Sequence, residues 1–378
     1  MRITEVRLDR LRLELDPPFR AAWDPHPRHH VDVTVVRVET DDGIVGVGSG
    51  DTMDGFEAYA DLFVGTDPLR IARHVRTLET LGFHAGRYWA LEAALWDVTG
   101  QVAGLPVATL LGGSCTRLPA YASTGEQRTP PQRVDSALAA REAGFRATKI
   151  RIARDALDDG VAAVRGVRTA LGDDFTVLVD LNQSWRMAGD IDPALDVKAV
   201  TRTVAQLAEL GVGWVEEPLP YADVAGLAEL RRSSRVPIAG GEMVRTFDDA
   251  VRLLDADALD VYQMDVVLSL GMSRCRTFAE LARARHREYT PHTWTNGIGV
   301  LANLHVAAGV GGGPWFELPY DPGGPGSPGG AGGWTPERRD FMLTEPVRVD
   351  ADGCVPVPTS PGLGVTLDED AIDRWRLR

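Results

Sequence analysis

Apolar side chains recur at every second position near the start of the chain: Val6 and Leu8, then Leu11, Leu13 and Leu15. This alternation predicts strands with one buried face. Val31 to Thr40, the turn Asp41-Asp42-Gly43, and Ile44 to Val47 predict a hairpin. The period then changes. Between Arg87 and Ala103, Trp89, Ala93, Trp96 and Gly100 fall at helical spacing, and Leu105-Pro106 stops the helix. Residues 1–114 are expected to form an α+β domain.

Beyond Leu110-Leu-Gly-Gly113, short apolar runs alternate with longer helical patterns. The strand candidates are 118–123, 148–152, 175–181, 213–218, 236–239, 258–264, 289–292 and 315–318. Eight βα modules predict an α/β fold of the TIM (β/α) barrel type, over residues 115–346. The stretch from Ile298 to Ala308 is apolar all round and should be a buried helix. Asp321 to Gly333 is rich in Gly and Pro, so an irregular loop is expected, as a linker or a working lid. Residues 347–378 are expected to pack back on the first domain.

Composition narrows the function. The chain has 378 residues, 44% hydrophobic and 25% charged, with a formal net charge of −14. This acidity disfavours nucleic acid and anionic membranes as partners. Cys115, Cys275 and Cys354 are few, odd in number and scattered, which suits a reduced, cytoplasmic protein. The first residues hold no apolar signal core, and no apolar run is long enough to span a bilayer. Gly46-Val-Gly48-Ser-Gly50 follows the hairpin instead of opening a helix, so a turn is expected there and not a phosphate loop.

The chemistry sits at the strand ends, which form the active face of a parallel barrel. In order these ends carry Lys149 and Arg151, Asp180, Glu216, Glu242, Asp265, His292 and Glu317. Asp180, Glu216 and Glu242 offer hard oxygen ligands, and three carboxylates in a small site call for a divalent cation. Glu217 is placed on the opposite side of its strand by the two-residue period. Lys149 and Arg151 share a face. His292 and Asp265 end neighbouring strands, and an Asp beside a His raises its basicity, as a general base requires.

This ordered set, with Ala94-Leu-Trp-Asp97 and Leu110-Leu-Gly-Gly113, resembles the mandelate racemase and muconate lactonizing enzyme group of the enolase superfamily. The resemblance covers nearly the whole length. It implies an N-terminal capping domain, and Mg2+ held by Asp180, Glu216 and Glu242. It also implies removal of the proton α to a substrate carboxylate through an enediolate. His292 with Asp265 matches the base, and Glu317 a hydrogen-bonding acid beside the substrate carboxylate. Many members carry a lysine base where this chain has Arg151, and a guanidinium is a poor base. One-base dehydration of a sugar acid to a 2-keto-3-deoxy acid is therefore expected. Racemisation, epimerisation or cycloisomerisation is the alternative, and a non-catalytic sugar-acid-binding protein a minor one. Trp23, Arg28 and His29, on the loop between the first two strands, and Asp51, on the next loop, match positions that read the distal end of the substrate. Asn182 and Trp185 are further candidates for lining the pocket. The family implies a homo-oligomer, dimer or octamer.

Overall fold

The computed structural model describes residues 1–323 and 333–377. The N-terminal sheet is antiparallel, in the order β1 (Ile3–Phe19), β2 (Arg28–Thr40), β3 (Val45–Gly48). The register sets Leu11 opposite Val33, both buried. Helix Trp89–Ala103 packs on β2 and β3. Gly46 and Gly48 are part of β3 and not of a turn. A Cβ on either would collide with the carbonyl oxygens of Ala94 or Ala90, so these glycines let the helix backbone lie directly on the strand. Asp97 joins three segments: it accepts from the backbone N–H of Val47 at 2.9 Å and of Leu363 at 2.7 Å, and from Gln101 on its own helix.

The barrel strands are β4 (Arg117–Ser123), β5 (Ala147–Arg151), β6 (Thr176–Asp180), β7 (Val215–Glu216), β8 (Ile238–Gly240), β9 (Val261–Tyr262), β10 (Glu288–Tyr289) and β11 (Phe316–Pro319). From β4 to β10 each strand pairs in parallel with its sequence neighbours, and β11 returns to pair with β4. Between β10 and β11 hydroxyls bridge the seam: Thr290 Oγ1 donates to the Trp315 carbonyl at 2.5 Å and Thr293 Oγ1 to the Glu317 carbonyl at 2.6 Å. Several strands are shorter than their apolar runs. The chain leaves the ladder beside the acidic residues, through positive φ at Asn182 (47°) and Glu217 (48°) just after Asp180 and Glu216, and at Gly241 (100°) just before Glu242. These turns expose the strand ends to the site instead of continuing the sheet.

Helix Gly297–Val310 is buried at every residue, which matches its apolar circumference. The Gly/Pro-rich stretch is not irregular throughout: Asp321–Pro322 pairs antiparallel with Gly333–Trp334. The rest of that expected loop, 324–332, lies outside the described residues. The C-terminal segment divides its contacts. Cys354–Pro356 pairs with β4 of the barrel, whereas helix Glu369–Trp375 reaches the N-terminal sheet, where Arg37 grips Glu369 at 2.7 Å.

Candidate active site

Parallel register brings the strand-end residues side by side. Arg151 lies opposite Asp180 and Asp180 opposite Glu216. Glu242 follows β8 after the Gly241 turn. Asp180, Glu216 and Glu242 are fully buried, and one oxygen from each lies within 4.8 Å of the others. Neighbouring donors aim these groups. Trp185 Nε1 donates to Glu242 at 2.8 Å, Gln263 Nε2 to Glu216 at 2.9 Å, and the Asn182 backbone N–H to Asp180 at 2.8 Å. Glu242 Oε2 has no hydrogen-bond donor among the described residues.

Lys149 sits between acids, 2.6 Å from Glu216, 2.8 Å from Glu317 and 3.6 Å from Asp180. Burial works against its charge, but Glu216 and Glu317 win and raise its pKa. Arg151 binds Asp180 at 2.6 Å and donates to Asn182 and the Thr124 carbonyl. Asp180 and Glu317 outweigh burial there too, so the guanidinium stays charged. Neither group is free to act as a base in this arrangement.

His292 Nδ1 lies 3.0 Å from Asp265 Oδ2, and its Nε2 lies 3.4 Å from Glu242. Burial opposes charging this imidazole, yet Glu242, Glu317 and Asp265 push its pKa up to about 9. Glu317 accepts from Ser123 Oγ at 2.6 Å and from the Thr293 backbone N–H at 2.7 Å. Despite burial, Lys149, His292 and Arg151 hold its carboxyl below the usual range. In this arrangement Glu317 accepts from its protein neighbours.

The residues fit a divalent cation. Five buried carboxylates (Asp180, Glu216, Glu242, Asp265, Glu317) face two fixed cations, Lys149 and Arg151. Burial and crowding push Glu216 up to about 8, even beside the Lys149 ammonium, and raise Glu242 as well. A cation among Asp180, Glu216 and Glu242 would let all three ionise. Their all-oxygen donor set suits Mg2+. At Glu217 a positive φ ends the strand. Its carboxyl is buried without a hydrogen-bond partner among the described residues, and burial with Glu242, Asp180 and Glu216 drives its pKa well up. It stands outside the clustered oxygens.

Trp23 roofs the site, with its ring 4.4 Å from the Arg151 guanidinium. Asn182 and Trp185 touch the metal-binding carboxylates. Asp51 lies 3.5 Å from Arg87, and burial raises its pKa. Arg28 pairs with Asp24 at 2.9 Å and stacks over Trp23. The expected loop is shorter than the sequence suggested, because Arg28 and His29 already belong to β2. His29 is exposed and is not brought into the site. Sequence reasoning missed Trp294, whose ring lies 5.1 Å from the Arg151 guanidinium, and also Ser123, Arg87 and Asn303. Only Trp294, two residues past His292, carried a positional signal.

Comparison with known proteins agrees with this geometry. Residues 3–112 match the family described as mandelate racemase / muconate lactonizing enzyme, N-terminal domain, and residues 132–371 match the enolase C-terminal domain-like family. The chain is 29% identical to D-galactarolactone cycloisomerase of Agrobacterium fabrum, over 100% of this chain and 99% of that protein. It is 29% identical to L-talarate/galactarate dehydratase of Salmonella typhimurium, over 92% of this chain and 83% of that one. A racemase of Streptomyces coelicolor, solved with bound magnesium, superposes with a TM-score of 0.82 at 27% identity, covering 99% of this chain and 100% of that one. By both its N-terminal and its barrel regions, the chain belongs to the mandelate racemase / muconate lactonizing enzyme family of the enolase superfamily.

Proposed function

We propose that this protein removes the proton α to the carboxylate of a sugar acid and expels the β-hydroxyl as water, leaving a 2-keto-3-deoxy acid. The carrying observation is a single competent base. His292 is oriented by Asp265 at 3.0 Å, while Lys149 and Arg151 are held in ion pairs with Glu216, Glu317 and Asp180. Racemisation requires proton transfer on both faces of the α-carbon, and this set supports one.

Asp180, Glu216 and Glu242 would hold Mg2+, which when bound supplies Lewis-acid stabilisation of the charge developing on the substrate carboxylate. Lys149 and Arg151 add fixed positive charge beside that oxyanion. His292 Nε2 takes the α-proton as its Nδ1–H stays on Asp265. The C–O bond to the β-carbon then breaks. The same imidazolium returns its proton to the departing hydroxyl, and the enol becomes the keto acid by tautomerisation.

Cycloisomerisation is the second reading. It also needs one base, and the full-length likeness to the A. fabrum cycloisomerase favours it over racemisation. One assay separates the two. Sugar acids are incubated with the Mg2+-loaded protein, and products are read by semicarbazide and by mass. Keto acid at 18 mass units below substrate, roughly one water lost, supports dehydration. A product of unchanged mass in which a ring has opened or closed assigns cycloisomerisation, and no turnover of any sugar acid defeats both.

A further inference from the structure

Asp265 is held by the turn that follows it. The Val267 and Leu268 backbone N–H groups donate to its side chain at 2.8 and 3.2 Å, and the Ser269 N–H donates to its carbonyl at 3.0 Å. This turn is gripped in its turn by the N-terminal domain. Arg87, just ahead of helix Trp89–Ala103, donates through Nη1 to the Leu268 carbonyl. Leu268 therefore receives a hydrogen bond from Arg87 on its carbonyl and gives one to Asp265 from its N–H. Three links run from the N-terminal domain to the imidazole: Arg87 to Leu268, Leu268 to Asp265, and Asp265 to His292 Nδ1 at 3.0 Å.

The far end of the turn is anchored from the same side. Helix Met272–Ala284 starts there, and the first N–H groups of a helix have no partner within it. Glu92, buried on helix Trp89–Ala103, supplies one: its Oε1 accepts from the Ser273 backbone N–H at 2.9 Å and from Ser273 Oγ at 2.6 Å. Glu79 takes Arg274 in a two-armed pair at 2.6 and 3.0 Å. Gly271 makes this approach possible. Its φ is 81°, and a Cβ there would collide with the Glu92 carboxylate and the Trp89 ring. At the near end Gly50 packs so closely that a Cβ would strike the Val267 side chain. The turn is thus touched from the N-terminal domain along its whole length.

We propose that Arg87 is a positioning residue for the general base. It fixes the Leu268 peptide so that the turn holds the Asp265 carboxylate against His292, with Glu92 as the anchor at the turn's other end. The N-terminal domain then acts on the proton-transfer step as well as covering the site. The proposal rests on the reading of His292 and Asp265 as the base. Arg87 also lies 3.5 Å from Asp51 and 3.5 Å from the sulfur of Met243, the residue after Glu242. Effects on substrate, metal and base therefore have to be separated.

The test uses the full-length, Mg2+-loaded protein with galactarate as the probe, and α-proton exchange in D2O is followed by NMR. Arg87→Met keeps much of the side chain and removes its donors. It should lower kcat for exchange about tenfold, the scale of one charged hydrogen bond. KM and Mg2+ affinity should stay within about twofold. Backbone amide exchange over residues 266–270, read by mass spectrometry, should quicken about tenfold. In an Asp265→Asn background the same substitution should cost less than about threefold, because the group it acts through is already lost. A raised KM with kcat kept would make Arg87 a substrate contact. A fall in Mg2+ affinity would place its effect on Glu242, and a full tenfold loss in the Asp265→Asn background would show that it acts apart from the base. Each of these overturns the proposal, as does unchanged amide exchange. If Arg87→Met does not fold, Arg87→Lys, which loses the planar fork, carries the same comparisons with smaller effects of the same sign. Wild-type α-proton exchange in Asp265→Asn defeats the reading of the base, while faster amide exchange in Arg87→Met keeps the grip on the turn. If the wild type does not exchange galactarate, amide exchange decides alone.

Discussion

Asp265 gives one carboxylate oxygen to His292 Nδ1 at 3.0 Å, and its other oxygen is filled by the Val267 and Leu268 backbone N–H groups and by Asn303 Nδ2. The carboxylate therefore cannot swing away from the imidazole. In the neutral ring that acts as base, this keeps the proton on Nδ1 and leaves Nε2 to face the carboxylate site. His292→Asn should reduce α-proton exchange by about 10²–10⁴-fold, and Asp265→Asn should approach that loss. Deuterium uptake into recovered substrate measures both. Exchange that survives His292→Asn would move the base to another residue.

Trp185 Nε1 donates to Glu242 at 2.8 Å and so orients a metal-binding carboxylate from outside the ligand set. Trp185→Phe should lower Mg2+ affinity about tenfold, the lower end for loss of such a supporting hydrogen bond. Glu242→Gln, which removes a ligand, should cost more. Glu217→Gln should leave affinity within about threefold, since Glu217 stands outside the clustered ligand oxygens. Calorimetric titration with Mg2+ ranks the three. An effect at Glu217 equal to that at Glu242 would place Glu217 among the ligands.

The strand-end acids were legible because a barrel interior is otherwise apolar, so each charge after an apolar run stands out. The supporting residues were not. Asn303 hides in the helix Gly297–Val310, whose pattern reads as uniformly buried, and it is buried with a partner that only the fold supplies. Trp294 and Trp334 look like ordinary core residues in sequence, and their meeting with Phe19 needs the N-terminal sheet to lie over the barrel. Alternation placed Glu217 off the ligand face, and it does stand outside the clustered oxygens, although that strand ends in a left-handed turn at this residue. His29 was misplaced because β2 starts earlier than its apolar alternation, among polar residues.

Arg151 makes contacts a lysine cannot copy. Its guanidinium serves Asp180, Asn182 and the Thr124 carbonyl at once and lies against both Trp23 and Trp294. An ammonium keeps the charge but loses the planar fork and the stacking. Arg151→Lys should cut kcat/KM at least about tenfold, the scale of one charged hydrogen bond lost. Its ammonium would stay paired with Asp180, so recovered substrate should show no deuterium with inverted configuration. Appearance of the inverted isomer would mean that this position can act as a second base, returning racemisation or epimerisation to contention.

His305 links the barrel to the C-terminal segment. Its Nδ1 accepts from the Ala108 backbone N–H at 2.9 Å, and its Nε2 lies 3.1 Å from the Leu363 carbonyl. This requires the neutral tautomer with the proton on Nε2. Burial pushes its pKa down to about 4, only partly opposed by the Leu363 carbonyl. In the unfolded chain the same group titrates near about 6.5. Between these values the unfolded state binds a proton that the folded state refuses. The stabilisation is thus complete above pH ~6.5 and is lost as pH falls toward ~4. Between about pH 7 and pH 4.5 the wild type should lose on the order of 2 kcal/mol more stability than His305→Gln, which has no titrating ring. Urea unfolding at both pH values gives the difference directly, with acid effects at other sites cancelling between the two proteins. Parallel losses in wild type and variant would show that the folded protein takes up the proton on His305 as readily as the unfolded chain, so that the Ala108 contact does not hold the ring neutral.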